Sequence, residues 1–151
     1  TLGEIRKIIF DLRPMALDDL GLVPTIRGVL DVFRTQYGIF TEIAVTGRER
    51  RLASHIEIGL FRVAQEALNN VVKHAQASTV RVRIEFAPIG VTLVIEDDGK
   101  GFDTANDDAP AGHFGLMGMR ERLQLLQGKF TIKSTPGKGT RVMITAPLEE
   151  Q

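Results

Sequence analysis

Glu66, Asn70 and Lys73 follow one another at spacings of four and three residues. On a helix that spacing puts a carboxylate, an amide and an ammonium on one surface stripe. A carboxylate that orients polar groups, a neutral oxygen for a hard cation and a fixed positive charge are the parts a magnesium nucleotide needs. The same stripe is also what any solvated helix face presents. Further along, Asp97, Asp98 and Gly99 end a run of alternating apolar residues, and Gly101 comes next but one. A carboxylate at a strand end accepts a hydrogen bond from an exocyclic amine such as that of adenine, and glycines beside it let the backbone approach a flat base. Asp-Gly pairs make plain turns as well. Gly112, Gly115 and Gly118 recur every three residues across a loop and the helix expected after it. Free backbone donors and the helix dipole at such a junction favour a phosphate, although hinge glycines look the same.

The elements that must position these residues follow from periodicity. Ser54 to Ala75 reads as one long helix, with Phe61, Ala64, Leu68, Val71, Val72 and Ala75 on one face and Arg62, Glu66, Asn69, Asn70 and Lys73 opposite. Ser54 followed three residues later by Glu57 predicts a capping box at its start. Alternation of Val80, Val82, Ile84 and Phe86, then of Val91, Leu93 and Ile95, predicts an antiparallel hairpin over 79–97. The stretch 98–112 is rich in glycine and aspartate and predicts a long mobile loop. A helix near 116–126 follows, then a strand from Phe130 to Ser134, a TPGKG turn, and a strand from Thr140 to Ala146 closed by Pro147. Upstream, Leu2, Ile5, Ile8, Ile9 and Leu12 mark a helix stopped by Pro14. A turn is expected through LRPMALDD, a second helix over about 21–37 stopped by Gly38, a strand over 39–46, and a wet basic loop, RERR, with no assigned function. Strands and helices mix without regular alternation, which predicts an α/β fold whose mixed sheet is covered on one face by helices.

Composition removes several function classes. A chain of 151 residues, 43% hydrophobic, has the size of one domain. Nineteen basic and nineteen acidic residues cancel, so no overall field draws it to nucleic acid or an anionic membrane. There is no cysteine, and His55, His74 and His113 lack metal-ligand spacing. No apolar run approaches the roughly 20 residues that span a bilayer. A GxxxxGK[ST] loop is missing, and the Gly-x-Gly segment does not follow a first strand as a dinucleotide fold requires. The chain opens at Thr1, mid-helix, as a piece cut from a longer protein would.

Four blocks in order, QEALNNVVKHA at 65–75, EDDGKGF at 96–102, GLMGMRER at 115–122 and GKGTRV at 137–142, resemble the catalytic ATP-binding domain of bacterial sensor histidine kinases. LRPMALDDLGL at 12–22 is similar to the connector in the subfamily that partners NarL/LuxR-type response regulators. The resemblance implies a Bergerat α/β sandwich with a mobile ATP lid over about 103–114, residues 1–20 being the end of a dimerisation helix and its connector and 21–151 the catalytic domain. It implies ATP and Mg2+ as ligands. Asn70 would bind magnesium, Glu66 would orient groups about the γ-phosphate, and Lys73 and His74 would face phosphate. Asp97 would read the adenine amine, Gly99 and Gly101 would admit the base, and Thr140 would support that end. Gly115 and Gly118 would flank the lid. It further implies a cytoplasmic parent, a homodimer, that donates the γ-phosphoryl to a histidine on its dimerisation domain, a block expected upstream of this chain. Two other readings are a gyrase, Hsp90 or MutL-type ATPase switch, in which Glu66 would activate water, and a nucleotide-sensing module without turnover. The connector argues against the first, and Glu66, Asn70, Asp97 and Thr140 together argue against the second.

Overall fold

The computed structural model describes residues 15–101 and 114–148. The helix expected over 2–12, nearly all of the lid, His113 and Gly112 lie outside the described residues. The elements run α1 (Met15–Leu20), α2 (Leu22–Tyr37), β1 (Phe40–Gly47), α3 (Ser54–Asn70) with a π-turn (Val71–Ala75), β2 (Thr79–Ala87), β3 (Gly90–Asp97), α4 (Phe114–Leu125), β4 (Lys129–Ser134) and β5 (Thr140–Pro147). The five strands lie in the order β1-β2-β3-β5-β4. β1 and β2 are parallel and the other pairs antiparallel, so the sheet is mixed, as expected.

The alternation of the strands decides which face is covered. Val80, Val82, Ile84 and Phe86 of β2, Val91, Leu93 and Ile95 of β3, and Val142, Ile144 and Ala146 of β5 all point to one side and are buried. Against them lie Leu60, Phe61, Val63, Ala64, Ala67 and Leu68 of α3, Leu22, Ile26, Leu30 and Phe33 of α2, and Met119 and Leu123 of α4. Each fully buried Leu or Phe contributes roughly 1.5–3 kcal/mol relative to exposure, which is why α3 docks by a face wider than the six residues that periodicity picks out. Glu42, Arg81, Arg83 and Glu85 are exposed on the other face of the sheet.

Three local expectations are corrected. Met15–Leu20 is a short helix where a turn was expected; its Leu17 is only 1% exposed and joins the core, which outweighs the turn signals around it. No capping box forms, since Ala53 is the N-cap and no side chain caps the helix. Instead the buried carboxylate of Glu57 receives Arg51 at 3.1 and 3.2 Å and the Leu52 amide at 3.4 Å. The RERR run is therefore no mere wet loop. Arg51 also donates to the carbonyls of Leu17 and Asp19, while Arg50 donates to those of Ala87 and Pro88 and lies over the Phe86 ring. Both arginines tie loop 48–53 to the end of the sandwich where α1 meets α2. Glu57→Ala leaves Arg51 half in water and the Leu52 amide without its acceptor, and is expected to cost about 2 kcal/mol. A lowered urea midpoint with an unchanged slope checks this; an unmoved midpoint refutes it.

The long central helix is also not uniform. At Val71 the amide donates to both Ala67 and Leu68 carbonyls, and the five residues Val71–Ala75 widen into a π-turn capped by Gln76 with φ 52°. Such bulges rotate the following side chains and occur often at functional sites. This one lies between Asn70 and the start of β2.

Candidate functional site

β3 ends at Asp97, and strand register decides its neighbours. Asp97 is paired with Val80 on β2 and with Thr140 on β5, and Thr140 is paired with Ser134 on β4. Side chains of paired residues share a face. Asp97 is in step with Leu93 and Ile95, so Asp97, Thr140 and Ser134 form a polar row on the helix-covered face, at the edge of the core. The carboxylate of Asp97 accepts the Gly99 amide at 2.8 Å and the Thr140 amide. Burial nevertheless pushes its pKa above the ordinary carboxylate range, and the negative charge of Asp98 adds to the rise. A half-buried carboxylate that the protein only partly satisfies is prepared to accept a further donor.

Asp98 faces the other way. Its Oδ1 accepts the amides of Ser78 at 2.8 Å and Thr79 at 2.9 Å, which holds its pKa below the usual range. That clamp fastens the end of β3 to the segment leaving the π-turn, so the C-terminal end of α3 and the end of β3 occupy the same end of the sandwich. Glu66 and Asn70 are half-buried there and Lys73 is exposed. His74 stands in the same π-turn, its side chain outside those described. Val71 is buried, so the apolar and polar faces of α3 stay separate up to the turn.

Gly99 is buried. Gly101, with φ +63°, approaches the β4–β5 turn so closely that an added Cβ would overlap the Thr135 carbonyl. The amide of Gly137 donates to the Lys100 carbonyl at 2.6 Å, so the 98–101 segment leans on that turn. Gly139, with φ +84°, has the Asp97 carbonyl where its Cβ would be. Thr140 and Ser134 join through their hydroxyls at 2.8 Å.

The structure thus brings Asp97, Gly99, Gly101 and Thr140 together by direct or nearly direct contact, and sets Glu66, Asn70 and Lys73 on the helix that enters the same end. Gly115 and Gly118 both lie in α4, which begins at Phe114 rather than near residue 116, and Gly112, the third glycine of that series, lies outside the described residues. Gly118 has open space where a Cβ would project. The sequence did not reveal the π-turn, the Asp98 clamp, the Ser134 hydroxyl or the close approach of Gly139; only the GKGT spelling hinted at the last. Among the described residues, no three His, Cys, Asp or Glu side chains gather as a metal cage, and no helix is long and apolar enough to cross a membrane.

Residues 55–150 match the family described as histidine kinase-, DNA gyrase B-, and HSP90-like ATPase. Over 148 residues the chain is 47% identical to the signal transduction histidine-protein kinase/phosphatase DegS of Brevibacillus brevis, a match covering 98% of this chain and 38% of that relative. Among solved structures, the histidine kinase domain of a blue-light activated histidine kinase from Erythrobacter litoralis superposes with a TM-score of 0.67 at 21% identity, over 83% of this chain and 58% of that one. Full-length ShkA in complex with AMPPNP gives a TM-score of 0.70 at 20% identity, over 87% of this chain and 30% of that one. These structural likenesses speak to the fold.

Proposed function

This chain belongs to the histidine kinase-, DNA gyrase B-, and HSP90-like ATPase family and has its Bergerat fold, and on that premise we propose that it is the catalytic domain of a cytoplasmic two-component sensor histidine kinase, which donates the γ-phosphoryl of magnesium ATP to a histidine. The acceptor belongs to the dimerisation domain of a homodimeric parent, with residues 1–20 as the end of a dimerisation helix and its connector and 21–151 as the catalytic domain. Relay then passes to a NarL/LuxR-type response regulator. The observation that carries the reading is Asp97: a half-buried carboxylate under two backbone amides, beside a buried glycine, at the end where the polar stripe of α3 arrives.

In this reading Asp97 accepts a hydrogen bond from the adenine amine, Gly99 and Gly101 leave room for the base, and Thr140 supports the same edge. Asn70 offers its amide oxygen to magnesium. The donor set fits, because magnesium keeps most of its waters and takes few protein ligands beside phosphate oxygens, so a full cage of carboxylates is not required. Magnesium, when bound, neutralises charge that develops on the phosphates. Glu66 orients groups around the terminal phosphate, Lys73 and His74 face phosphate, and Gly115 and Gly118 flank the lid. The protein's share of phosphoryl transfer is positioning and charge neutralisation. A relative of the same fold is solved with AMPPNP, an ATP analogue, which supports the ligand class.

The test supplies the chain with labelled ATP, magnesium and a separately produced dimerisation domain. Acid-labile, alkali-stable label on that domain is expected. Asn70→Ala should remove the magnesium dependence of ATP binding while leaving the metal-free contact to adenine. No ATP binding by the unsubstituted chain, or label on this chain alone, overturns the reading.

A further inference from the structure

Ser134 has one hydroxyl hydrogen and gives it to the Gly139 carbonyl at 3.1 Å. The Ser134 and Thr140 hydroxyl oxygens are 2.8 Å apart. Either hydroxyl can donate in that pair, and when the serine hydrogen goes to the Gly139 carbonyl the bond between the two is made by Thr140 donating and Ser134 accepting. The Thr140 oxygen then has no hydrogen left to offer on its other side. It presents lone pairs only, in the same row as the Asp97 carboxylate, to which Thr140 is register-paired and bonded through its own amide.

We propose that Ser134 is a specificity-determining positioning residue: by accepting the Thr140 hydrogen it fixes Thr140 as an acceptor, so the end of the pocket offers two acceptors and rejects a purine that carries a carbonyl at position 6. This rests on the ATP reading and deepens it. An exocyclic amine has two hydrogens and meets two acceptors, whereas a carbonyl meets lone pairs with lone pairs. A site that leaves polar groups unpaired against the wrong ligand discriminates more strongly than one that merely omits a contact. Without Ser134, the Thr140 hydroxyl rotates freely and can donate to a carbonyl. The Gly139 carbonyl keeps the Thr135 amide at 3.4 Å, so Ser134→Ala does not strip the turn of its bond.

The test compares ATP with inosine triphosphate, whose base has a carbonyl in place of the 6-amine, by calorimetry on the unsubstituted chain, Ser134→Ala and Ser134→Thr. Ser134→Ala is expected to lower the ATP-to-inosine-triphosphate affinity ratio about tenfold, mostly by tighter inosine triphosphate binding, and Ser134→Thr to restore it. A role confined to stapling the β4–β5 turn would instead weaken both nucleotides together and lower the melting temperature, with the ratio unmoved; that outcome overturns the assignment. Should Ser134→Ala fold poorly, Thr140→Val provides the second arm. Thr140→Val removes the acceptor that Ser134 is proposed to fix, so the ratio should fall at least as far as proposed for Ser134→Ala, and an unmoved ratio in Thr140→Val overturns the assignment as well. If the unsubstituted chain binds no ATP, the functional reading itself falls; if it binds ATP and the ratio stays fixed across the Ser134 variants, only the Ser134 assignment falls.

Discussion

Asp97→Asn is expected to cut ATP affinity by tenfold to a hundredfold and, in the same protein, to raise the melting temperature of the nucleotide-free chain. The two effects have one cause. Burial dominates the rise in the Asp97 pKa, and the neighbouring Asp98 charge adds to it, against the opposing pull of the Gly99 and Thr140 amides. A carboxyl whose folded pKa is raised contributes stability that is full below the unfolded value of 3.8 and is lost as pH rises through the folded value. At neutral pH the ionised side chain is thus a net cost to folding. Asparagine keeps an oxygen for the Gly99 amide and carries no charge, so the cost disappears and the stability of the variant no longer falls across that acidic window. Its second terminus, however, is an NH2 group where the carboxylate offers an acceptor. Donor then meets donor at the adenine amine, and losing a hydrogen bond to a charged partner is worth roughly 1.5–3 kcal/mol. Calorimetry with ATP and a thermal melt between pH 4 and 8 read both effects. ATP affinity within threefold of the unsubstituted chain, or a lower melting temperature at pH 7, removes Asp97 from the role proposed for it.

Periodicity made legible whatever depends on one element facing one core. The amphipathic split of α3 and the period-two alternation of β2 and β3 are local patterns, and both elements form where those patterns put them. Failures occurred where a residue had two possible partners. Glu57 is placed to bond back to the first turn of its helix, yet Arg51 competes from the preceding loop and a charged donor wins. The 15–20 segment has the polar residues of a turn, and only the pocket that takes Leu17 makes it helical. Asp97 was legible because a carboxylate at the end of an apolar strand is conspicuous, and Thr140 became visible through the resemblance of its block. Ser134 was not, because its meaning depends on β4 pairing with β5 in a register that sets it opposite Thr140. Nothing in the residues 129–134 announces that partner.

The same dependence on register makes Gly139 the most sensitive backbone position in the site. Its φ of +84° is left-handed, and the Asp97 carbonyl occupies the space of a Cβ. Gly139→Ala therefore incurs both the dihedral strain and a backbone overlap that a side chain cannot relieve by turning away. The only escape is for β5 to back off from β3 at the Asp97–Thr140 pair, which opens the amide contact to the carboxylate and shifts the Thr140 hydroxyl. A loss of about 2–4 kcal/mol of stability is expected, with ATP affinity down at least tenfold because two groups proposed to meet adenine move together. Gly137→Ala separates the two terms. Its φ is +80° but no atom lies within 4 Å of the added Cβ, so it bears strain alone, about 1 kcal/mol, and ATP affinity should hold. Urea unfolding and calorimetry on the pair decide the matter. If the two alanines cost the same and neither changes ATP binding, close packing of the β4–β5 turn on Asp97 does not set the geometry of the site.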